Sequence, residues 1–227
     1  MKRIGWPTMR YRLSSLLLVV SLLGVVGGYF FNRAHVERRS RDELRKKGLT
    51  VAYDYNLGFR HVELVEESDE PKWLQQLCGD SLLDHVTYVD GQRSATLMDD
   101  GKGLTDDDLL PLQGLRHVEC LYLGFNPITD EGLAHLAHLK SLRVLFLPGT
   151  RISDAGMAHL SGLVNLEVLV LEFTSISDDG LAHVATMRGL KDLALMDTRI
   201  QGPGLVHLAS LSKLETHCPR RAFGRRI

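Results

Sequence analysis

Four histidines recur at one spacing: His135, His159, His183 and His207 stand 24 residues apart. Such a column could hold metal ions, and His135 with His138 forms an HxxH pair. Zinc needs each ligating nitrogen at about 2.0–2.1 Å. On a helix, His135 would point about 200° away from the apolar Leu133, onto the outer face. Packed helical segments sit about 8–10 Å apart, so successive histidines cannot easily share an ion. The HxxH pair has no evident third ligand. The column therefore reads as surface or packing histidines, and no metal is expected.

Other reactive types are equally sparse. Cys78, Cys120 and Cys218 have no CxxC spacing and no Cys–His–Asp signature. Asp99, Asp100, Asp106, Asp107 and Asp108 surround a glycine loop, but EF-hand spacing fails, so they read as a solvated loop and a helix start. No Walker A, GxGxxG, GxSxG or HExxH motif occurs. No catalysis, cofactor or small-molecule substrate is expected. Lysine plus arginine number 27 against 28 acids, which excludes polyanion binding by bulk charge. Arg220, Arg221, Arg225 and Arg226 read as a basic solubilising tail, 218–227, and no nucleic-acid partner is expected. A hydrophobic fraction of 44% excludes both a disordered chain and a polytopic membrane protein.

The elements behind the histidine column are more informative. In rows of 24 from Val118, seven columns are apolar in four successive rows. They open with Val118, Leu142, Leu166 and Leu190, followed by the columns of Leu121, Leu123, Ile128, Leu133, Leu136 and Leu139. Chance at this composition gives roughly 10⁻¹⁰, so the repeat is real. An imperfect row precedes them, with Leu97, Leu104, Leu109, Leu112 and Leu115, and a truncated row begins at Leu214. Within a row the period changes. Leu145-x-Leu147 alternates as a strand does. Met157, Leu160 and Leu163 recur every three, as one stripe of a helix. Thr129, Ser153 and Ser177 are placed as N-caps. Each is flanked by a staple such as Ile152 with Met157. Asp130, Asp154 and Asp178 suit the first helical turn. Gly132, Gly156, Gly180 and Gly204 read as room for a neighbouring coil.

LRVLFLPGTRI (142–152) and LEVLVLEFTSI (166–176) resemble the leucine-rich repeat family, with Asn126, Thr150, Thr174 and Thr198 at its ladder position. The continuation T/S-D-x-G-L-x-x-L resembles the subtype with helical convex sides, found in bacterial and F-box-type repeat proteins. The likeness implies an α/β leucine-rich repeat solenoid over 95–217, used for binding proteins. Gln201-Gly202-Pro203-Gly204 departs from the cap pattern, and the columns fail after Leu214. A solenoid end exposes core, so 48–94 is expected to form a small α/β N-terminal cap. There Thr50–Tyr55 and Val86–Val89 read as strands, Asp69-Glu70-Pro71 as a helix start, and Asp90-Gly91 as a hairpin signal. Alternatively, Val86 and Val89 form the first rung, with an insertion before Gly103.

Residues 13–31 carry no charge and are long enough, as a helix, for a bilayer core of about 30 Å. Gly27-Gly28-Tyr29-Phe30-Phe31 is a poor cleavage site, so the run reads as an uncleaved transmembrane anchor behind a basic head, 1–12. Seven basic residues come after it between Arg33 and Lys47, against four before it, which favours a cytoplasmic repeat domain. A short basic head is also the form of a signal anchor that exports the C-terminal portion, so the side stays open. Residues 32–47 read as a charged, solvated stalk helix with Glu37/Arg41, Asp42/Lys46 and Glu43/Lys47 pairs. Together these features resemble planctomycete-type membrane-anchored repeat proteins.

The expected function is a non-catalytic protein-interaction module displayed on a membrane. The alternatives are a recognition adaptor of an enzyme complex, for which no F-box segment is seen, or a structural envelope component. The partner is expected on the concave parallel sheet, at Tyr122, Phe125, Val144, Phe146, Val168, Val170, Glu172, Phe173 and Met196.

Overall fold

The computed structural model describes residues 13–53, 86–92 and 103–215. Helix α1 (Leu13–Lys46) leads into strands β1 (Thr50–Tyr53) and β2 (Val86–Asp90). Strands β3 (Cys120–Tyr122), β4 (Val144–Phe146), β5 (Val168–Val170) and β6 (Asp192–Ala194) each open one coil. The six strands form one sheet in sequence order. β1 is antiparallel to β2, and every later pair is parallel. From β3 onward the register advances by 24 residues without a slip: Leu121, Leu145, Leu169 and Leu193 stand side by side.

The convex side is made of short turns. Helices α2 (Asp130–Ala134), α3 (Asp154–Leu160) and α4 (Leu181–Val184) are flanked by 3₁₀ segments at Asp106–Gly114 and Pro203–Ser210. The i, i+3 leucine spacing explains this better than a regular α-helix does. In a 3₁₀ turn, side chains three apart eclipse and share one face. The N–H groups of Leu136, Leu139, Leu163 and Leu166 accordingly donate to the carbonyl three residues back. Gly202, at φ 128° and just before Pro203, stands where coils two and three carry Asp154 and Asp178.

The apolar columns build one continuous core. All seven positions in coils one to three have no exposed surface, from Val118 to Met187. Coil four is less complete: Leu193, Leu195, Ile200 and Leu208 are only half-buried, and Leu205 is 50% exposed. It is the last full coil among the described residues, so nothing described covers its outer side. Glu215 begins a further rung, its N–H donating to the Lys191 carbonyl at 2.7 Å.

Of the two readings of the first rung, the alternative holds: Val86 and Val89 belong to it. Val89, not Leu97, lies beside Leu121, and Gly91 continues the rung by donating to the Tyr122 carbonyl. Asp90-Gly91 therefore makes no hairpin. The β-branched and aromatic run Val86-Thr87-Tyr88-Val89 supplies better strand residues than the surroundings of Leu97, and Val86 and Val89 are fully buried in the core. Leu104, Leu109, Leu112 and Leu115 do join the core in their expected columns. Leu97, the Asp69-Glu70-Pro71 segment, the head 1–12 and the tail 218–227 lie outside the described residues.

The helix after the apolar run is not solvated on every side. Leu44 has no exposed surface and joins the repeat core, and Ser40 is buried against Gly114. Lys47 pairs with Asp108, Arg33 contacts His117, and the Val86 N–H donates to Glu37 at 3.2 Å. Glu43 is paired with Arg39 at 3.1 Å rather than with Lys47. The reason is an exposed solenoid end: the apolar edge of the first rung needs a cover, and Leu44 and Leu49 provide it. Among the described residues no helix is long and apolar enough to cross a membrane. Most side chains of 13–31 fall outside that description, and the expected anchor with them.

The uneven burial of the core makes it testable. Leu169→Ala should cost about 2–5 kcal/mol in a denaturant melt, the usual range for a buried leucine. Leu205→Ala should cost less than about 1 kcal/mol, since half of that side chain is already wet. Equal costs would contradict the continuous core assigned to coils one to three.

Candidate functional site

Alternation along each strand sends one side chain inward and the next onto the open face of the sheet. The open face carries Tyr88, then Cys120 and Tyr122, Val144 and Phe146, Val168 and Val170, and Asp192 and Ala194. Registered pairing brings Tyr122, Phe146, Val170 and Ala194 into one row. Tyr122 stacks on Phe146 with ring centroids 4.6 Å apart, and Tyr88 tilts against Tyr122 at 5.4 Å. Cys120, Val144, Phe146, Val170 and Ala194 form a second, smaller apolar cluster, with Tyr88, Tyr122 and Val168 half-buried around it.

This divides the predicted contact residues into two groups. Val144, Phe146 and Val170 are buried by their neighbours, Phe146 with only 9% of its surface exposed. They shape the face more than they offer surface. Phe173 and Met196 are 50% and 58% exposed, with Phe125 and Glu172 half-buried at the same edge. Phe125, Glu172, Phe173 and Met196 lie just past the strand ends rather than within the strands.

The backbone there repeats a left-handed turn. Phe125, Gly149, Phe173 and Asp197, again 24 apart, have φ of 60°, 64°, 58° and 53°. The turn aims each N–H at the next coil: Phe125 donates to Pro148, Gly149 to Glu172 and Phe173 to Met196, at 2.7–2.9 Å. Only Gly149 adopts this conformation without steric cost. Phenylalanine there is unfavourable.

Electrostatics on this face favour neutral groups. Burial, together with the charge of Glu119, pushes the Cys120 thiol up to about 11. Burial pushes the Tyr122 phenol up to about 12. Tyr88, which donates to Asp90 at 3.1 Å, is also raised, chiefly by burial and then by that carboxylate. None is a nucleophile near neutral pH. Burial and then the Asp197 charge raise the Glu172 carboxyl above its usual range.

The histidines stay apart from any such site. The His138 Nε2–H donates to the carbonyls of Leu112 and Leu115 at 3.1 and 2.9 Å, tying coil one to the rung before it. His135 meets Gln113 at 3.1 Å, while His159 and His207 are exposed. Among the described residues no three of His, Cys, Asp and Glu gather as metal ligands. Cys78, Cys218, Asp99 and Asp100 lie outside the described residues.

Two polar ladders were not anticipated as such. Asp106, Asp130 and Asp154 each reach into the following coil. There they accept both the backbone N–H (2.7–2.9 Å) and the hydroxyl (2.6 Å) of Thr129, Ser153 and Ser177. The expected caps thus donate their hydroxyls backward as well: Thr129 also caps Glu131, while Ser153 makes no cap bond of its own. The glycines of the next coil stand against the same carboxylates, because a Cβ at Gly132, Gly156 or Gly180 would collide with them. The second ladder is ionic. Arg143 binds Glu167 at 2.9 Å and Glu119 at 3.6 Å, and Lys191 binds Glu167 at 2.6 Å. The 24-residue spacing of acid, base, acid, base was the signal that could have revealed it.

Residues 114–137 match the family model described as Leucine Rich repeat. Solved structures with similar folds include an internalin (inlF) from Listeria monocytogenes, 24% identical with a TM-score of 0.45, where 55% of this chain matches 37% of that one. Internalin C2 from the same organism is 31% identical with a TM-score of 0.41, over 46% of this chain and 43% of that one. The leucine-rich repeat ectodomain of the receptor kinase SOBIR1 from Arabidopsis thaliana is 16% identical with a TM-score of 0.42, over 79% and 88%. The chain thus spans less than half the length of either internalin. No curated protein matches it. The matched segment and its 24-residue copies carry the leucine-rich repeat pattern.

Acid should loosen the coils in a defined order of charge. Hydrogen bonding from Lys191, opposed by burial and aided by Arg143, holds the Glu167 carboxyl below 4.5. Asp178 and Asp108 lie below 3.8: burial opposes this, but backbone N–H donors outweigh it at Asp178, as Lys47 and Thr105 do at Asp108. A carboxyl depressed by folding stabilises the fold above its unfolded value, and that stability is lost as pH falls through the folded one. Glu167, Asp178 and Asp108 should therefore make stability fall as pH drops below about 5, while the raised Glu172 works the other way and blunts the upper part of that fall. Glu167→Gln should flatten the upper part of that fall in melts recorded across the acid range.

Proposed function

We propose that this chain is a non-catalytic recognition module, held on a membrane by residues 13–31 as a single-pass anchor. It binds a protein partner across the open face and the adjoining edge of its parallel sheet. The observation that carries this reading is Phe173. A bulky aromatic occupies a left-handed backbone position and still leaves half its surface in water. Such strain persists where something other than the local fold selects for it. Burial repays little here, so a partner is the natural beneficiary. Met196 beside it is also exposed, and the Tyr122–Phe146 stack gives a rigid apolar floor. Exposed aromatic and methionine side chains beside such a floor have the anatomy of a binding hot spot.

The anchor rests on the uncharged run 13–31 and on the missing cleavage site. A raised Cys120 thiol, raised phenols and scattered histidines support the absence of catalysis. Solenoids of this family mostly act by offering surface.

Phe146 is a poor probe of this reading, because a charge there would be buried in the stack. Phe173→Asp is the better one. Aspartate tolerates the left-handed conformation better than phenylalanine does, so the unfolding free energy read from a melt should hold or rise by a few tenths of a kcal/mol to about 1. Combined with Met196→Asp, it should weaken capture of the native membrane partner at least tenfold, read by cross-linking in intact cells. Undiminished capture by the doubly substituted chain would place the interaction on the convex turns or on α1.

A further inference from the structure

We infer that the loops joining convex turns to strands form a second surface, a basic edge that lies on anionic lipid headgroups. The inference rests on the reading of residues 13–31 as a bilayer anchor.

The direction of α1 carries it. Arg33 contacts His117, Ser40 lies against Gly114, and Lys47 pairs with Asp108. The helix therefore runs antiparallel to the first 3₁₀ segment, with its N-terminal half leaving the repeats past residue 117. It is one unbroken helix from Leu13 to Lys46. Arg33 lies only two residues after Phe31, about 3 Å of helical rise. A bilayer around 13–31 would hold the 116–117 loop at headgroup level, since that zone is about 5–7 Å deep on each side.

The other coils share that level. Their strands align without a slip, so residues 140, 164 and 188 repeat the position of residue 116 along the solenoid. With α1 upright, the solenoid lies flat and every one of these loops faces the membrane. They carry Arg116, Lys140, Arg188 and, one step on, Lys213. All four are exposed, and among the described residues none is paired with a carboxylate. Val164, at the equivalent place in coil two, is apolar and 54% exposed. No acid occurs in 114–118, 138–142, 162–166, 186–190 or 210–214. Glu119 and Glu167 stand just inside and are tied to Arg143 and Lys191, with Glu215 at the far end of that ladder.

The opposite loop edge has the reverse character. It holds Asp106, Asp107, Asp130, Glu131, Asp154 and Asp179 against Arg151 and Arg199. Charge is thus sorted by distance from the membrane, although net charge is only −1. Bases near an anionic surface are attracted within about a Debye length, and acids at the far edge avoid it.

The test uses the full chain in lipid nanodiscs, either of phosphatidylcholine alone or with about 30% phosphatidylglycerol as the anionic probe. Hydrogen–deuterium exchange is monitored by mass spectrometry. Peptides over 138–142, 162–166 and 186–190 should exchange more slowly on the anionic discs, and peptides over 148–155 should not. Each neutralised base should lower contact occupancy about fivefold, so the contrast should vanish in R116Q/K140Q/R188Q/K213Q and persist in R151Q/R199Q. Thermal melts of both variants report whether they fold; for a variant that does not, loss of the contrast in wild-type chain at high salt serves instead. Equal exchange on both discs by a chain that stays in the discs would overturn the basic edge and leave the anchor standing. A chain that does not co-purify with either disc would overturn both.

Discussion

Each coil of this protein is held to the next by one carboxylate. Asp106, Asp130 and Asp154 accept a backbone N–H and a hydroxyl from the following coil, and both bonds are short. A charged acceptor makes such bonds stronger than neutral pairs. The geometry demands glycine opposite, since any Cβ there would strike the carboxylate. Cap, aspartate and glycine are therefore one device spread over two coils. The apolar columns supply the bulk of the stabilisation, but they would tolerate sliding; the clamp fixes the spacing. Coil four departs from the device, with Gln201, Gly202 and Gly204 offering Asp178 only backbone N–H groups.

On the sheet side the same spacing is set by backbone alone. Parallel strands meet in register, and the left-handed residue after each strand turns its N–H onto the next coil. Asn126 adds a buried tie at the first rung, donating to Gly91 and accepting from Leu104. Thr150 and Thr174 satisfy only the carbonyls of their own coils, at 2.7 and 2.6 Å. The consequence for function is a stiff floor whose side chains stack into rows. At its edge the Phe173 N–H donates to the Met196 carbonyl at 2.9 Å, tying the two coils together there.

The first rung links the solenoid to its helix. Leu44 enters the repeat core while Lys47 and Glu37 tie α1 to the coil and to β2. A helix docked in this way transmits its own orientation to every coil. Polar sorting along the loops then acquires a direction in space, which a flexible stalk would have erased.

Much of this was legible in the residues. The 24-residue columns named the strands, the turns and the repeat type, because burial of one face imposes a periodicity that composition cannot mimic. The caps, the staples and the need for glycine came from helix-end chemistry. Four matters were decided only by tertiary structure. The residues alone left two readings of the rung beside β3, and its pairing with β2 (Val86–Asp90) chose between them. Phe146 and Val144 are buried, because neighbouring strands bring their side chains together, and alternation says only which way they point. The aspartates serve the next coil and not just their own helix, and Leu44 closes the core. Such contacts join residues far apart in the chain, and local spacing carries no record of what will lie across the gap.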